Sequence, residues 1–399
     1  MSNLVNTRPM TRRELEQALL QKLSDILADV GWLEEVRPVA AHGSQNLGYD
    51  ALVRIKTQAG TVLAAAVDIK TDLRPSTFEI WAQKRRVVVS DVETIPVLAV
   101  PAMSERLAEL CRGKSVSWYD LAGNCRIDVP GQLHIERRGL PPIYSPPRAK
   151  ANLSSAAAGR VIRVLLSPAH AGLPWTQRGL VQETVWKKEL GEDQPIDSMV
   201  AQHLFGEDQP VSIGLVNKVL QHLRDEDFIE DSGRKGIRVK DPKGLLEAWN
   251  AAYRFERHQR LSCFTLLKPD ELEKALKKFR PSTGGMVVYA SFSAAERQAP
   301  HVRQVKTWLY AAPHCVGNLL AATKANEVDS GENLVVLVPD DIGVLMTYQP
   351  FDLQDPRLRP TDPVQTYVDL RHSGGRGEEA AQAILEQVLL PAWKKAGIT

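Results

Sequence analysis

The stretch from residue 212 to 239 constrains this chain more than any other. It opens as SIGLVNKVLQHLRDED, in which Ile213, Val216, Val219, Leu220 and Leu223 recur at helical spacing, leaving Asn217, Lys218, Gln221, His222 and Arg224 between them. Ser212 stands just before the stripe, where a serine hydroxyl satisfies an otherwise unpaired helical amide. A short acidic turn follows, then two short strands on either side of SGRKG at 232–236. A capped helix with a polar, basic outer face followed by a basic-tipped hairpin is the sequence form of a winged helix-turn-helix. Its helix would reach base edges in the major groove, and Arg234, Lys235 and Arg238 on the hairpin would meet phosphates. The residues expected on DNA are Ser212, Asn217, Lys218, Gln221, His222, Arg234, Lys235 and Arg238. Charge alone would suit a solvated helical domain; the ordered combination points to DNA.

Such a surface has to be local, because 399 residues carry a formal net charge of only +2. With 43% hydrophobic and 25% charged residues the composition is that of an ordinary globular protein, and the length suggests two or three domains. The four cysteines, Cys111, Cys125, Cys263 and Cys315, lack the short spacings of zinc or redox motifs and are expected as reduced thiols. The first residues have no apolar core of a signal peptide, and no uncharged run approaches membrane-spanning length. The expectation is a soluble, cytoplasmic protein that does not engage a membrane.

The clearest boundary is the proline-rich stretch at 139–155, GLPPIYSPPRAKANLSS, which has little periodicity and serves as a semi-rigid linker. The segments flanking it give a multidomain α/β chain: an α/β domain at 11–138, the winged helix-turn-helix domain at 156–258, and a C-terminal α/β domain at 259–399. Within the middle domain, helices are expected from residue 159 and around 198–205, with a partly basic insertion at 168–195. In the last domain Gln365, Tyr367 and Asp369 alternate as on a strand, a partner-binding surface or a packed sheet edge, and residues 376–378 open a helix.

The first domain carries a second candidate site. Residues 50–56 and 62–70 form two strands joined by a turn at 58–60. Asp50 begins one strand, and Asp68 and Lys70 alternate at the end of the other, so both point to one face. Two carboxylates beside a lysine suit phosphodiester chemistry: Asp50 and Asp68 would hold Mg²⁺, and Lys70 would steady the attacking water or the developing charge. Gln83, and with less reason Glu16 and Glu79, could face the same pocket. The order helix, strand, Asp strand, Asp-x-Lys strand, helix resembles the PD-(D/E)xK restriction-endonuclease-like fold. A surface ion pair at a strand edge is the other reading of the same residues.

Three stretches together carry a further resemblance: VSWYDLAGNCRI at 116–127, KDPKGLLEAW at 240–249, and PVQTYVDL at 363–370 followed by GRGEEAA at 375–381. In this order they resemble the AbiEi-type antitoxin and transcriptional-regulator proteins, in a larger variety with an added N-terminal domain. The resemblance implies operator binding through a winged helix, autoregulation of an operon, and a nucleotidyltransferase-like toxin as partner. A homodimer on paired half-sites is the corresponding assembly. A metal-dependent endonuclease targeted by the winged helix is the alternative. Within the first stretch, residues 120–124 have the composition of a tight structural turn.

Overall fold

Thr11 starts the first helix. Its hydroxyl accepts the Glu14 amide, and the Glu14 carboxylate accepts the Thr11 amide at 2.6 Å, a capping box that fixes α1 (Arg12–Ala28). The computed structural model describes residues 10–31, 33–39, 49–84, 93–144, 151–184, 211–233, 236–279, 287–302, 304–346 and 358–398. The chain divides into two units, Met1–Ala149 and Lys150–Thr399.

In the first unit a seven-stranded mixed sheet runs in chain order: β1 (Leu33–Val39), β2 (Ala51–Thr57), β3 (Val62–Ile69), β4 (Glu93–Val100), β5 (Ser117–Asp120), β6 (Cys125–Val129) and β7 (Leu133–Arg137). The β3–β4 and β4–β5 pairs are parallel and the others antiparallel. Each parallel pair needs a crossover, supplied by α2 (Pro75–Lys84) and α3 (Glu105–Gly113).

Strand alternation sorts the two faces. Val53, Ile55, Ala65, Val67, Val97 and Tyr119 pack with Leu19, Leu23 and Ile26 of α1. Leu98, Val100 and Trp118 pack with Phe78 and Trp81 of α2 and Leu107 and Cys111 of α3. The result is three layers, helix–sheet–helices, with a core on each side of the sheet. Asp120 closes the 120–124 turn: its Oδ1 accepts the amides of Gly123 and Asn124, and Oδ2 accepts the Asn124 side-chain amide, each at 3.0 Å. Gly123 has φ +97° there.

The second unit starts at α4 (Ala156–Leu166), capped by Ser155 and buried from Ala158 to Leu166. Helix α5 (Gln177–Glu183) lies inside the stretch that sequence reading left as an insertion, and it buries Leu180. The helix expected around 198–205 lies outside the described residues. Next come α6 (Ile213–Asp225), the hairpin β8 (Ile229–Asp231) and β9 (Ile237–Val239), and α7 (Pro242–Ala252). A five-stranded sheet follows, built from β10 (Gln259–Thr265), β11 (Val287–Tyr289), β12 (Thr307–Ala311), β13 (Ala325–Glu327) and β14 (Leu334–Val338) in the order β11-β12-β14-β10-β13. Its flanking helices are α8 (Pro269–Lys278), α9 (Ser291–Gln298), α10 (Val316–Thr323), α11 (Pro363–His372) and α12 (Gly377–Ile384), with a π-helical turn (Leu385–Leu389) leading into α13 (Leu390–Lys395). One continuous apolar core runs from Ala151 to Trp393.

Helix α11 corrects the strand expected at 363–370. Pro363 takes the first helical position and Asp362 caps the helix, its carboxylate accepting the Val364 amide at 2.9 Å. Every residue from Val364 to Leu370 is buried, polar and apolar alike. A helix buried all round loses the one-sided pattern that distinguishes it from a strand. Its polar residues meet polar groups from other elements. Gln365 accepts Arg163 Nε at 2.6 Å and donates to Asp369 at 2.7 Å, and Tyr253 and Tyr310 donate to the same Asp369 oxygen. Arg160 donates to Asp341 through Nε at 2.8 Å. Helices α4 and α11 are thus joined by buried side-chain bonds as well as by shared core. All four cysteines are buried thiols. Among the described residues no helix is long and apolar enough to cross a membrane.

Candidate nucleic-acid interface

Helix α6 is built as its sequence requires. Ser212 Oγ accepts the Leu215 amide at 3.3 Å, and Val216, Val219, Leu220 and Leu223 are buried. Ser212, Ile213, Gly214, Leu215, Asn217, Lys218 and Gln221 are exposed, and His222 is half-buried. The helix ends at Asp225, and two residues on Asp227, with a φ of +61°, turns the chain so that Phe228 returns to the core and its amide bonds the Leu223 carbonyl at 2.9 Å. Aspartate tolerates this left-handed conformation better than most residues.

Two ion pairs tie the helix end to the hairpin. Arg224 donates through Nε and Nη2 to both oxygens of Asp231 at 2.9 Å each, and Lys240 donates to Asp227 at 2.7 Å. Arg224 is therefore held against β8 rather than on the outer face. Trp175, just before α5, exchanges both backbone hydrogen bonds with Ile237 of β9 at 2.8 Å, which adds a third extended segment to the hairpin. The order is then helix α4, extended Trp175, helix α5, helix α6, strand β8, strand β9. Gln177 at the start of α5 donates to Asn217 Oδ1 at 3.0 Å, a direct bond between α5 and the exposed face of α6.

Of the eight residues expected on DNA, Ser212, Asn217, Lys218 and Gln221 share the outer face of α6, with His222 at its border. Arg238 lies half-buried on β9 opposite Glu230. Arg234 and Lys235 lie outside the described residues. The insertion at 168–195, whose structure the sequence left open, supplies both Trp175 and α5. The signal available was Thr176 followed by a short run around Leu180, with Thr176 Oγ1 accepting the Gly179 amide at 3.0 Å.

The first unit holds the other candidate cluster. Asp50 immediately precedes β2, and its amide bonds the Val67 carbonyl at 2.8 Å, which places it beside Asp68 at the end of β3. The three expected residues do converge. Lys70 Nζ pairs with Asp68 Oδ1 and lies 3.9 Å from Asp50 Oδ2, which itself accepts the Ile69 amide at 2.7 Å. Burial raises the Asp50 carboxyl above the usual range, and the Ile69 amide and the charge of Lys70 oppose that rise. The other Asp68 oxygen accepts the indole N–H of Trp81 at 2.5 Å. A buried indole N–H generally finds an acceptor, and here Asp68 is that acceptor.

No hydrogen bond or ion pair among the described residues joins the other three candidates to Asp50, Asp68 or Lys70. Glu16 pairs with Arg12 at 2.8 Å and Glu79 with Lys114 at 3.2 Å, while Gln83 is exposed on α2. Among the described residues no three His, Cys, Asp or Glu side chains converge as a metal-ligand group. Two carboxylates are within the number that Mg²⁺ takes from a protein, the rest of its shell being water and substrate phosphate oxygens, while both Asp68 oxygens here already accept hydrogen bonds, from Lys70 and Trp81.

No curated protein and no solved structure matches the chain. A match to a known family does exist, and it starts inside β9, covers α7 and takes in the five-stranded sheet with most of its helices. Over residues 238–390 the chain is similar to the family described as transcriptional regulator, AbiEi antitoxin, type IV TA system.

Proposed function

We propose that the chain is a DNA-binding transcriptional regulator of the AbiEi antitoxin type. In this reading residues 156–258 form a winged helix-turn-helix, with α6 as recognition helix and the β8–β9 hairpin as wing, and residues 259–399 take a cognate partner protein. The observation that carries it is the Trp175–Ile237 bridge. It supports the order of helix, strand, two helices and two strands that such a module needs, with the polar face of α6 left exposed. The family similarity supports the regulatory role, and a homodimer on two half-sites fits a module that reads paired sequences.

Footprinting of the full chain on the promoter of its own operon tests the reading. Protection of one or a few sites, weakening steeply with salt, is the expected result. No protection at low salt removes it. Co-purification with the product of the neighbouring gene tests the antitoxin half separately.

A second reading rests on the convergence of Asp50, Asp68 and Lys70 beside a parallel β3–β4 crossover, which supports a PD-(D/E)xK-type endonuclease targeted by the winged helix. A bound Mg²⁺ would supply charge neutralisation at the scissile phosphate. Asp50 and Asp68 would hold that ion, and Lys70 would hold positive charge beside the reacting centre, steadying the attacking water or the developing charge. Incubation with supercoiled DNA and Mg²⁺ or Mn²⁺ tests this. Nicking lost in Asp68→Ala and Lys70→Ala, with DNA binding intact, supports it; no cleavage of duplex, nicked or single-stranded DNA rules it out.

A further inference from the structure

The exposed arc of α6 holds a glycine that nothing among the described residues explains. Gly214 lies in the first turn with ordinary helical backbone, and among the described residues a Cβ built there meets only Ser212 Oγ, at 4.0 Å. A glycine in a helix gives up stability relative to alanine. Neither its backbone conformation nor packing among the described residues requires this one. Its neighbours around the helix are Ile213, 50% exposed, and Leu215, 48% exposed. Asn217 and Gln221 follow Ile213 at successive four-residue steps, so they extend one row along the same face.

The geometry points to a recognition surface for A·T base pairs, a specificity that rests on the DNA-binding reading above. Gly214 leaves out the side chain where the helix comes nearest the base edges in the major groove. Ile213 and Leu215, on either side of that gap, contact thymine C5-methyl groups, which are the apolar feature the groove offers. Asn217 and Gln221 keep free amide hydrogens and carbonyl lone pairs beyond their bonds to Gln177 and Asp225, and these match adenine N7 and N6. Arginine, the commonest reader of guanine, is held back, since Arg224 is engaged by both oxygens of Asp231. Lys218 reaches a phosphate from the same face.

Selection of the full-length protein against a random duplex library, followed by titration of the enriched duplex, tests this. The expected sites have A·T pairs at their centres. Replacing each contacted thymine by deoxyuridine removes only the methyl and weakens binding about fourfold per methyl. The Ile213→Ala and Leu215→Ala proteins each lose part of that thymine preference. Gly214→Ala raises the melting temperature by about 2 °C yet weakens operator binding about tenfold. Sites with G·C centres, indifference to deoxyuridine, or a Gly214→Ala protein that binds normally each overturn the inference while leaving DNA binding standing. Failure to enrich any duplex overturns the DNA-binding reading with it.

Discussion

Trp175 and Ile237 are 62 positions apart in sequence yet exchange both backbone hydrogen bonds, and Gly236 is what lets them meet. Gly236 has φ +99°, and a Cβ there would stand 2.6 Å from the Trp175 carbonyl oxygen. Gly236→Ala therefore meets both a backbone penalty and a clash with main chain that cannot swing away. It is expected to destabilise the protein by about 2–3 kcal/mol and to impair DNA binding. Gly233→Ala, also at positive φ but with nothing within 4 Å, carries the backbone penalty alone, about 1–2 kcal/mol. Urea unfolding of the two variants beside the parent checks the difference. Equal losses would mean that the close approach to Trp175 does not matter.

Where local pattern and tertiary environment agree, the sequence was readable. The α6 stripe, the Ser212 cap and the β2–β3 hairpin carrying Asp50 and Asp68 all follow from spacing and capping chemistry. Reading failed where burial erased the pattern. In α11, Gln365, Tyr367 and Asp369 are buried by polar partners from α4, α7 and β12, so the polar positions no longer mark a solvent side. The pairing of Trp175 with Ile237 was unreadable for a different reason. The extended segment there is a single bridge whose partner is 62 residues downstream, and no local window contains that information.

Trp81 and Asp68 give a prediction for the first unit. Trp81→Phe keeps an aromatic ring against Phe78 but removes the indole donor, leaving one oxygen of a buried carboxylate without that bond. The expected loss is about 1–3 kcal/mol, read from thermal unfolding of the full chain. In an Asp68→Asn background the same Trp81→Phe change should cost less, because no buried carboxylate is then left without its donor. An undiminished cost there would locate the loss in ring packing instead.

The hairpin tip gives a salt prediction that does not depend on its conformation. Arg234→Ala with Lys235→Ala removes two cations between β8 and β9. If both contact phosphate, the slope of log affinity against log salt becomes shallower by about 1.8. The loss should be uniform across operator and unrelated duplexes, because phosphate contacts carry little sequence information. Fluorescence anisotropy between 50 and 200 mM salt, roughly the range over which such slopes are usually resolved, measures it. An unchanged slope would place the wing away from the backbone.

Asp369 gives the last prediction, and its sign needs care because a histidine in the same cluster pulls the other way. Burial pushes the Asp369 carboxyl up to about 7, against the hydrogen bonds from Tyr253, Gln365 and Tyr310. Asp362, also fully buried, is pushed to about 7, while burial lowers His258 to about 4. An aspartate in the unfolded chain titrates near 4, so between about pH 4 and 7 the folded protein holds the Asp369 proton that the unfolded chain releases. Stability from this group therefore falls as pH rises through that window and levels off above it. His258 binds its proton more weakly folded than unfolded, so its contribution rises with pH up to about 6.5 and masks part of the fall. The difference between parent and Asp369→Asn isolates the carboxyl, since His258 and Asp362 are common to both. Asparagine keeps an oxygen for the three donors and removes the proton equilibrium. The stability of the parent relative to Asp369→Asn should decline from pH 4 to 7 and stay flat from 7 to 9, measured by urea unfolding. A flat difference across the whole range would show that Asp369 ionises in the folded protein as readily as in the unfolded chain.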